Sequence, residues 1–185
     1  MNFENLQKAV CQEISQTLSK IKGKEVSRFT EALLSSERIF VMGVGRAMLM
    51  MQAFAKRLKH LGFDSWVVGE TVVPPISDRD MLIVGSGSGE TSTSVTIARR
   101  AQKIGAKVVL ITASEESTLR KIADFSVRIP APTKLKRPDE PSSQQHMANL
   151  FEQALLIFTD CAGIILQQKG GLSEDELLRA HANLE

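Results

Sequence analysis

Five short apolar runs constrain this chain more than any other feature. They are Arg38-Ile39-Phe40-Val41-Met42, Ser65-Trp66-Val67-Val68, Met81-Leu82-Ile83-Val84, Lys107-Val108-Val109-Leu110-Ile111 and Phe125-Ser126-Val127-Arg128-Ile129. The runs are continuous rather than alternating, the pattern of strands buried on both faces. Segments of helical period lie among them, at 46–61, 91–104 and, more briefly, 117–123. Strands interleaved with helices require a parallel sheet covered on both sides, an α/β architecture. The expectation is a doubly wound sheet in the order 2-1-3-4-5.

Helical patterns flank this core. Residues 3–20 place Phe3, Leu6, Val10, Ile14 and Leu18 at helical spacing, Gly23 breaks the pattern, and 24–36 resumes it. A hairpin that precedes every strand is free to pack elsewhere, for example on a neighbouring subunit. Residues 130–146, P-A-P-T-K-L-K-R-P-D-E-P-S-S-Q-Q-H, hold four prolines and can be neither helix nor central strand. The stretch reads as a linker or an ordered functional loop. A long helix follows at about 147–168, with Met147, Leu150, Phe151, Ala154, Leu155, Phe158, Ala162 and Ile165 as its apolar stripe. A last helix opens on Ser173 and Glu176, a capping box, with Leu172 and Leu177 spaced as a hydrophobic staple. The whole reads as one domain over 1–185: a hairpin at about 3–36, an α/β core at about 38–129 and C-terminal helices at about 147–184.

Composition removes several function classes. A net charge of +2 does not point to nucleic acid. No apolar run approaches the ~18 residues of a membrane span, and the first residues lack the pattern of a signal peptide. Cys11 and Cys161 form no metal-ligand spacing and read as buried thiols in a reducing cytoplasm.

Two glycine loops stand where an open parallel sheet binds its ligands, beyond the carboxyl ends of the first and third strands. They are Gly43-Val44-Gly45-Arg46-Ala47 and Gly85-Ser86-Gly87-Ser88-Gly89-Glu90-Thr91. Both precede helices, whose N-termini offer unpaired N–H groups and the positive end of a dipole. With bare backbone and hydroxyls, this describes a phosphate cradle formed by Gly45, Arg46, Ser86, Gly87, Ser88 and Thr91. No lysine follows either loop, so a nucleoside triphosphatase P-loop is absent. Gly43 and Gly45 match part of a dinucleotide fingerprint, and Glu70 could mimic its ribose-binding acid. However, Met48 occupies the position of the third small residue. A single phosphate monoester suits the second loop better.

The stretch Ser86-Gly87-Ser88-Gly89-Glu90-Thr91 after a strand resembles the signature of the sugar isomerase (SIS) domain family. G-V-G-R-A at 43–47, F-A-K-R-L-K-H-L-G-F at 54–63, V-V-G-E-T at 67–71, N-L-F-E-Q-A-L-L-I-F at 149–158 and R-A-H-A-N-L-E at 179–185 are similar to the 6-phospho-3-hexuloisomerases. The resemblance covers nearly the whole chain. It implies a flavodoxin-like fold, a homotetramer with sites near the subunit interfaces, no metal and no nucleotide cofactor. It also implies a small-molecule sugar phosphate as the partner, with neither nucleic acid nor membrane. The implied reaction interconverts D-arabino-3-hexulose 6-phosphate and fructose 6-phosphate in formaldehyde fixation.

Moving a carbonyl between C3 and C2 calls for a base that takes a proton from one carbon and returns it to the next. Glu152 is the candidate. Its helical neighbours Ala148, Asn149, Leu155 and Leu156 include no cation, so a partly desolvated, more basic carboxylate is expected. From the residues alone, an exposed glutamate remains the alternative; the resemblance implies the catalytic role. His181 has Leu177, Leu178 and Leu184 at helical spacing and reads as a packed histidine. The resemblance instead implies an acid/base role for it, in its own or a neighbouring subunit's site. Arg46 reads as a surface arginine or as a cation for phosphate or a substrate oxygen. His60 and His146 receive no role.

Two departures from the family pattern stand out. Ala47 replaces the usual serine, which removes one phosphate hydroxyl. The family reads close to Q-P-M-G-S-L where this chain has Gln145-His146-Met147-Ala148-Asn149-Leu150. These changes leave room for another sugar phosphate, such as arabinose 5-phosphate, or for a phosphosugar sensor without turnover.

Overall fold

The computed structural model describes residues 2–138, 140–181 and 183. Its elements in chain order are α1 (Phe3–Leu18), α2 (Gly23–Leu34), β1 (Arg38–Met42), α3 (Arg46–His60), β2 (Asp64–Val67), β3 (Met81–Gly85), α4 (Ser92–Ile104), β4 (Lys107–Thr112), α5 (Thr118–Ile122), β5 (Phe125–Arg128), α6 (Asn149–Gly170) and α7 (Glu174–Arg179). The strands form one parallel sheet in the order β2-β1-β3-β4-β5, as the apolar runs predict.

Strand alternation divides the core into two layers. Ile39, Val41, Met81, Ile83, Val109 and Ile111 face α2, α3 and α6, where Phe29, Phe54, Leu58, Leu155 and Phe158 meet them. Phe40, Met42, Leu82, Val84, Val108 and Leu110 face α4 and α5. Each such large apolar side chain, fully buried, contributes about 1.5–3 kcal/mol relative to exposure. The three rings Phe29, Phe54 and Phe158 tie α2, α3 and α6 together, with centroids 6.0 and 5.5 Å apart.

Several expectations need correcting. The N-terminal hairpin packs on its own chain: α1 lies against α6, and α2 against α6 and β5. Only the second half of the α1 stripe takes part; Ile14 and Leu18 pack on the core, while Phe3 and Leu6 are exposed. Helix α6 begins at Asn149 rather than 147. Met147 turns through a positive φ of 55° and is exposed, so it leaves the apolar stripe. α6 is also long and apolar enough to cross a membrane by composition, contrary to the run-length reading. Here it is a core helix, with Leu150, Phe151, Ala154, Leu155 and Leu166 buried. Cys11 and Cys161 are exposed, not buried, because each lies on the outer side of its helix.

At the C-terminus, the capping box of Ser173 and Glu176 is formed, and Leu172 and Leu177 both pack against the core. Leu184, named above as a neighbour of His181 and as the end of the C-terminal helices, lies outside the described residues.

The described residues of segment 129–148 have no regular structure but are firmly held. Thr133 is buried, and its N–H and hydroxyl donate to Glu140 at 2.8 and 2.5 Å. Further along, the Ser143 hydroxyl, the Gln144 N–H and the Gln145 amide donate to Glu13 on α1 at 2.7, 2.8 and 3.1 Å. Burial works to raise the Glu13 carboxyl, but these bonds outweigh it and hold it below the ordinary glutamate value. Of the two readings of this stretch, linker or ordered loop, the structure shows the ordered loop.

Candidate functional site

Strands β1 and β3 are neighbours whose connections leave to opposite sides of the sheet. Their carboxyl ends therefore open a crevice. A cavity of about 310 Å³ fills it, lined on one side by Ser86, Gly87, Ser88 and Thr91 and on the other by Phe151 and Glu152.

The first wall is a rigid loop. The Gly87 carbonyl accepts from the Ala113 and Ser114 N–H groups and from the Thr112 and Ser114 hydroxyls, at 3.1–3.2 Å. Gly89 turns at φ +67°, where an added Cβ would stand 2.1 Å from the Ser117 hydroxyl. The Ser86 hydroxyl accepts from the Gly89 N–H at 3.2 Å, and that of Ser88 from the Glu90 N–H at 3.3 Å. Each of these hydroxyls keeps its own proton to donate. Thr91, the predicted first residue of the helix, is instead the N-cap of α4, which starts at Ser92, and its side chain makes no capping bond. The helix's first N–H groups and its dipole thus face the cavity beside three hydroxyls.

Glu90 closes this wall. Its carboxylate accepts from the Thr118 hydroxyl and N–H at 2.7 and 2.9 Å, and Arg137 lies 3.9 Å away. These bonds, the hydroxyl's first, outweigh burial and hold the Glu90 carboxyl below its ordinary value.

Glu152 projects from the first turn of α6 and is 8% exposed. It is not the cation-free carboxylate that its helical neighbours suggested. The Arg46 Nε–H donates to Oε2 of Glu152 at 2.5 Å, and an Arg46 Nη–H donates to Oδ1 of Asn149 at 2.7 Å. Arg46 comes from α3, 106 residues away in sequence, which is why neighbours along α6 did not reveal it. Arg46 therefore stands with the carboxylate rather than in the Ser86–Thr91 loop. Gly45 caps α3 behind it, while Val44 and Ala47 contribute the lining from that loop.

His181 lies elsewhere in the chain. Its ring stacks on His60 with centroids 5.0 Å apart, beyond the end of α7. His60 ends α3, whereas Arg46 begins it. At 1.5 Å per residue, about 20 Å of helix separates this pair from the Glu152 site. One chain thus does not bring Glu152 and His181 together, and His181 is exposed rather than packed in a core. Glu70, the candidate ribose acid, lines a separate groove with Lys56 and Lys59.

The sequence reading missed a contribution from the proline-rich segment, which also places Leu135 in the lining. Thr133 and Lys134 line the cavity from segment 129–148, and Lys134 is the cation among its described lining residues. A broader cavity of about 710 Å³ under the same segment shares both residues. The Pro-rich composition marked an ordered loop there but carried no periodicity to say which side chain faces inward. Among the described residues, no group of three His, Cys, Asp or Glu side chains is placed to hold a metal ion.

Known proteins are similar to this chain in sequence and in fold. Residues 32–137 match the model of the SIS domain. The 3-hexulose-6-phosphate isomerase of Bacillus subtilis (strain 168) is 37% identical over 176 residues, covering 95% of each chain. That of Mycobacterium gastri is 36% identical, covering 94% of this chain and 86% of its own. A Methanococcus jannaschii protein, whose crystal structure was reported to infer 3-hexulose-6-phosphate isomerase function, superposes with a TM-score of 0.85. It is 28% identical and covers 98% of this chain and 99% of its own. On the match to the domain model and on relatives above one-third identity along almost the full length, the chain belongs to the SIS domain family.

Proposed function

We propose that this chain is a sugar phosphate isomerase that interconverts D-arabino-3-hexulose 6-phosphate and fructose 6-phosphate through an enediol. The observation that carries this reading is the pairing of walls in one cavity: a hydroxyl-rich phosphate loop faces a buried, arginine-held carboxylate. The phosphate group sits against Ser86, Gly87, Ser88 and Thr91 at the N-terminus of α4. Lys134 supplies the positive charge that the loop itself lacks.

Phosphate binding is remote from the reacting carbons and holds them in line with Glu152. The Glu152 carboxylate takes the proton from C2, and electrons move into an enediolate across C2 and C3. The O3 oxygen gains a proton and O2 loses one. Glu152 then returns its proton to C3, leaving the carbonyl at C2. Arg46 commits two of its five N–H donors to Glu152 and Asn149. Its remaining donors stabilise the oxyanion that develops beside the carboxylate.

In this reading His181 serves the site of a neighbouring copy within a homotetramer, as an acid/base at substrate oxygens. The distance along α3 and the resemblance support it. Mixing Glu152→Gln and His181→Ala subunits tests it: hybrid assemblies regain activity if the two residues act across an interface, and stay inactive if they do not. A cytoplasmic location rests on the two free cysteines, and a role in formaldehyde fixation through the ribulose monophosphate pathway on the resemblance alone.

The primary test supplies D-arabino-3-hexulose 6-phosphate and detects fructose 6-phosphate through a coupled reductive assay. Turnover is expected from the native chain and not from Glu152→Gln. A folded native chain without turnover would turn the reading toward another sugar phosphate, to be sought by screening.

A further inference from the structure

The N-terminal helix α1 lies outside the α/β core, yet an unbroken series of hydrogen bonds joins it to the reacting carboxylate. Glu13 on α1 accepts from the Gln145 side-chain amide at 3.1 Å. The Gln145 carbonyl oxygen accepts from the Asn149 amide at 3.0 Å. The Asn149 carbonyl oxygen accepts from Arg46 at 2.7 Å, and Arg46 donates to Glu152 at 2.5 Å.

We infer that Glu13, Gln145 and Asn149 are positioning residues that orient the Arg46 guanidinium, and through it the Glu152 carboxylate, for proton transfer. The inference rests on the isomerase reading above.

The chemistry of the two ends fixes the direction of the series. An ionised carboxylate only accepts, and a guanidinium only donates. Glu13 therefore requires the NH2 group of Gln145, so the Gln145 oxygen faces Asn149. That oxygen requires the NH2 group of Asn149, so the Asn149 oxygen faces Arg46. Each amide has one orientation that satisfies both neighbours. The Ser143 hydroxyl and Gln144 N–H, also donated to Glu13, hold it ionised and in place. A glutamine at position 13 would fill the same space while offering an NH2 group. Either amide could then turn over, bringing an Asn149 NH2 against the Arg46 donors.

The test uses the full chain and compares Glu13→Gln with Glu13→Asp. Glutamine keeps the length and loses the polarity; aspartate loses a methylene and keeps the polarity. The expected result is a drop in kcat of about tenfold for Glu13→Gln with KM within about twofold, and a smaller loss for Glu13→Asp. The second readout needs no turnover: the Arg46 Nε–H nuclear magnetic resonance, assigned with Arg46→Lys, should shift in Glu13→Gln. If native turnover is absent, the isomerase reading fails while this resonance still decides the coupling. A raised KM with unchanged kcat would make Glu13 a mere support for the loop carrying Thr133 and Lys134, and would overturn the inference. The reverse ranking of the two variants, or an unmoved Arg46 resonance, would overturn it as well.

Discussion

The two glycine loops look alike in sequence and do different work. Each follows a central strand and opens a helix. In the first, Gly43 stands so close to the start of α3 that an added Cβ would meet the Met48 nitrogen at 2.8 Å. The loop is therefore short and carries no hydroxyl, and its first helical side chain, Arg46, turns away to α6. The second loop is longer, is braced through the Gly87 carbonyl, and leaves Ser86, Ser88 and Thr91 on the cavity wall. Glycine records where the backbone must crowd or turn. The side chains beside it decide whether the loop serves a carboxylate or an anion.

That division of labour can be broken from either side. The largest effect is expected at Glu152, where Glu152→Gln should lower kcat by about a thousandfold, with binding of the sugar phosphate retained. Loss of binding instead would place Glu152 in substrate recognition. Next, Arg46→Ala should lower kcat by about a hundredfold while leaving competitive inhibition by inorganic phosphate within about twofold. A tenfold weaker inhibition by phosphate would return Arg46 to the phosphate cradle, as first read from sequence.

The second loop should show the opposite signature. Ser88→Ala or Thr91→Ala is expected to raise KM about tenfold with kcat held, the effect of losing one hydrogen bond of about 1.5 kcal/mol to a charged group. A fall in kcat alone would erase the contrast between the loops.

The smallest effect concerns acid. The Glu90 carboxyl titrates below its ordinary value in the folded chain, so its bonds to Thr118 add stability above the unfolded value. That stability fades as pH falls through the lowered folded value. Melting temperature followed downward from neutral pH should therefore decline more steeply in the native chain than in Glu90→Gln. Parallel curves would show that Glu90 contributes nothing to holding this loop.

Sheet order, helix positions and both glycine loops were legible because they follow from local periodicity and turn chemistry, whereas Glu152 was singled out through the resemblance and not through its helical neighbours. What escaped depended on contacts far apart in sequence. Arg46 and Glu152 meet across two helices. Lys134 enters the cavity from a stretch with no repeat at all. The position of His181 follows from its stacking on His60, which an apolar spacing on α7 could not foretell. Asn149, which stood out as a departure from the family pattern, proves to hold Arg46. Cys11 and Cys161 misled because an apolar helical context names a helix, not which of its sides faces the core.

The packing of α1 and α2 on α6 has a consequence for how the chain is made. The hairpin leaves the ribosome well before α6 does. At roughly 5–20 residues per second, on the order of ten seconds passes before the partner of the hairpin emerges. Meanwhile the sheet face that α6 shares with α2 and α3 is only partly covered. A nascent chain halted before residue 149 would hold every strand and yet lack the α6 side chains, Leu155 and Phe158 among them, that complete the cover over Ile83 and Ile111.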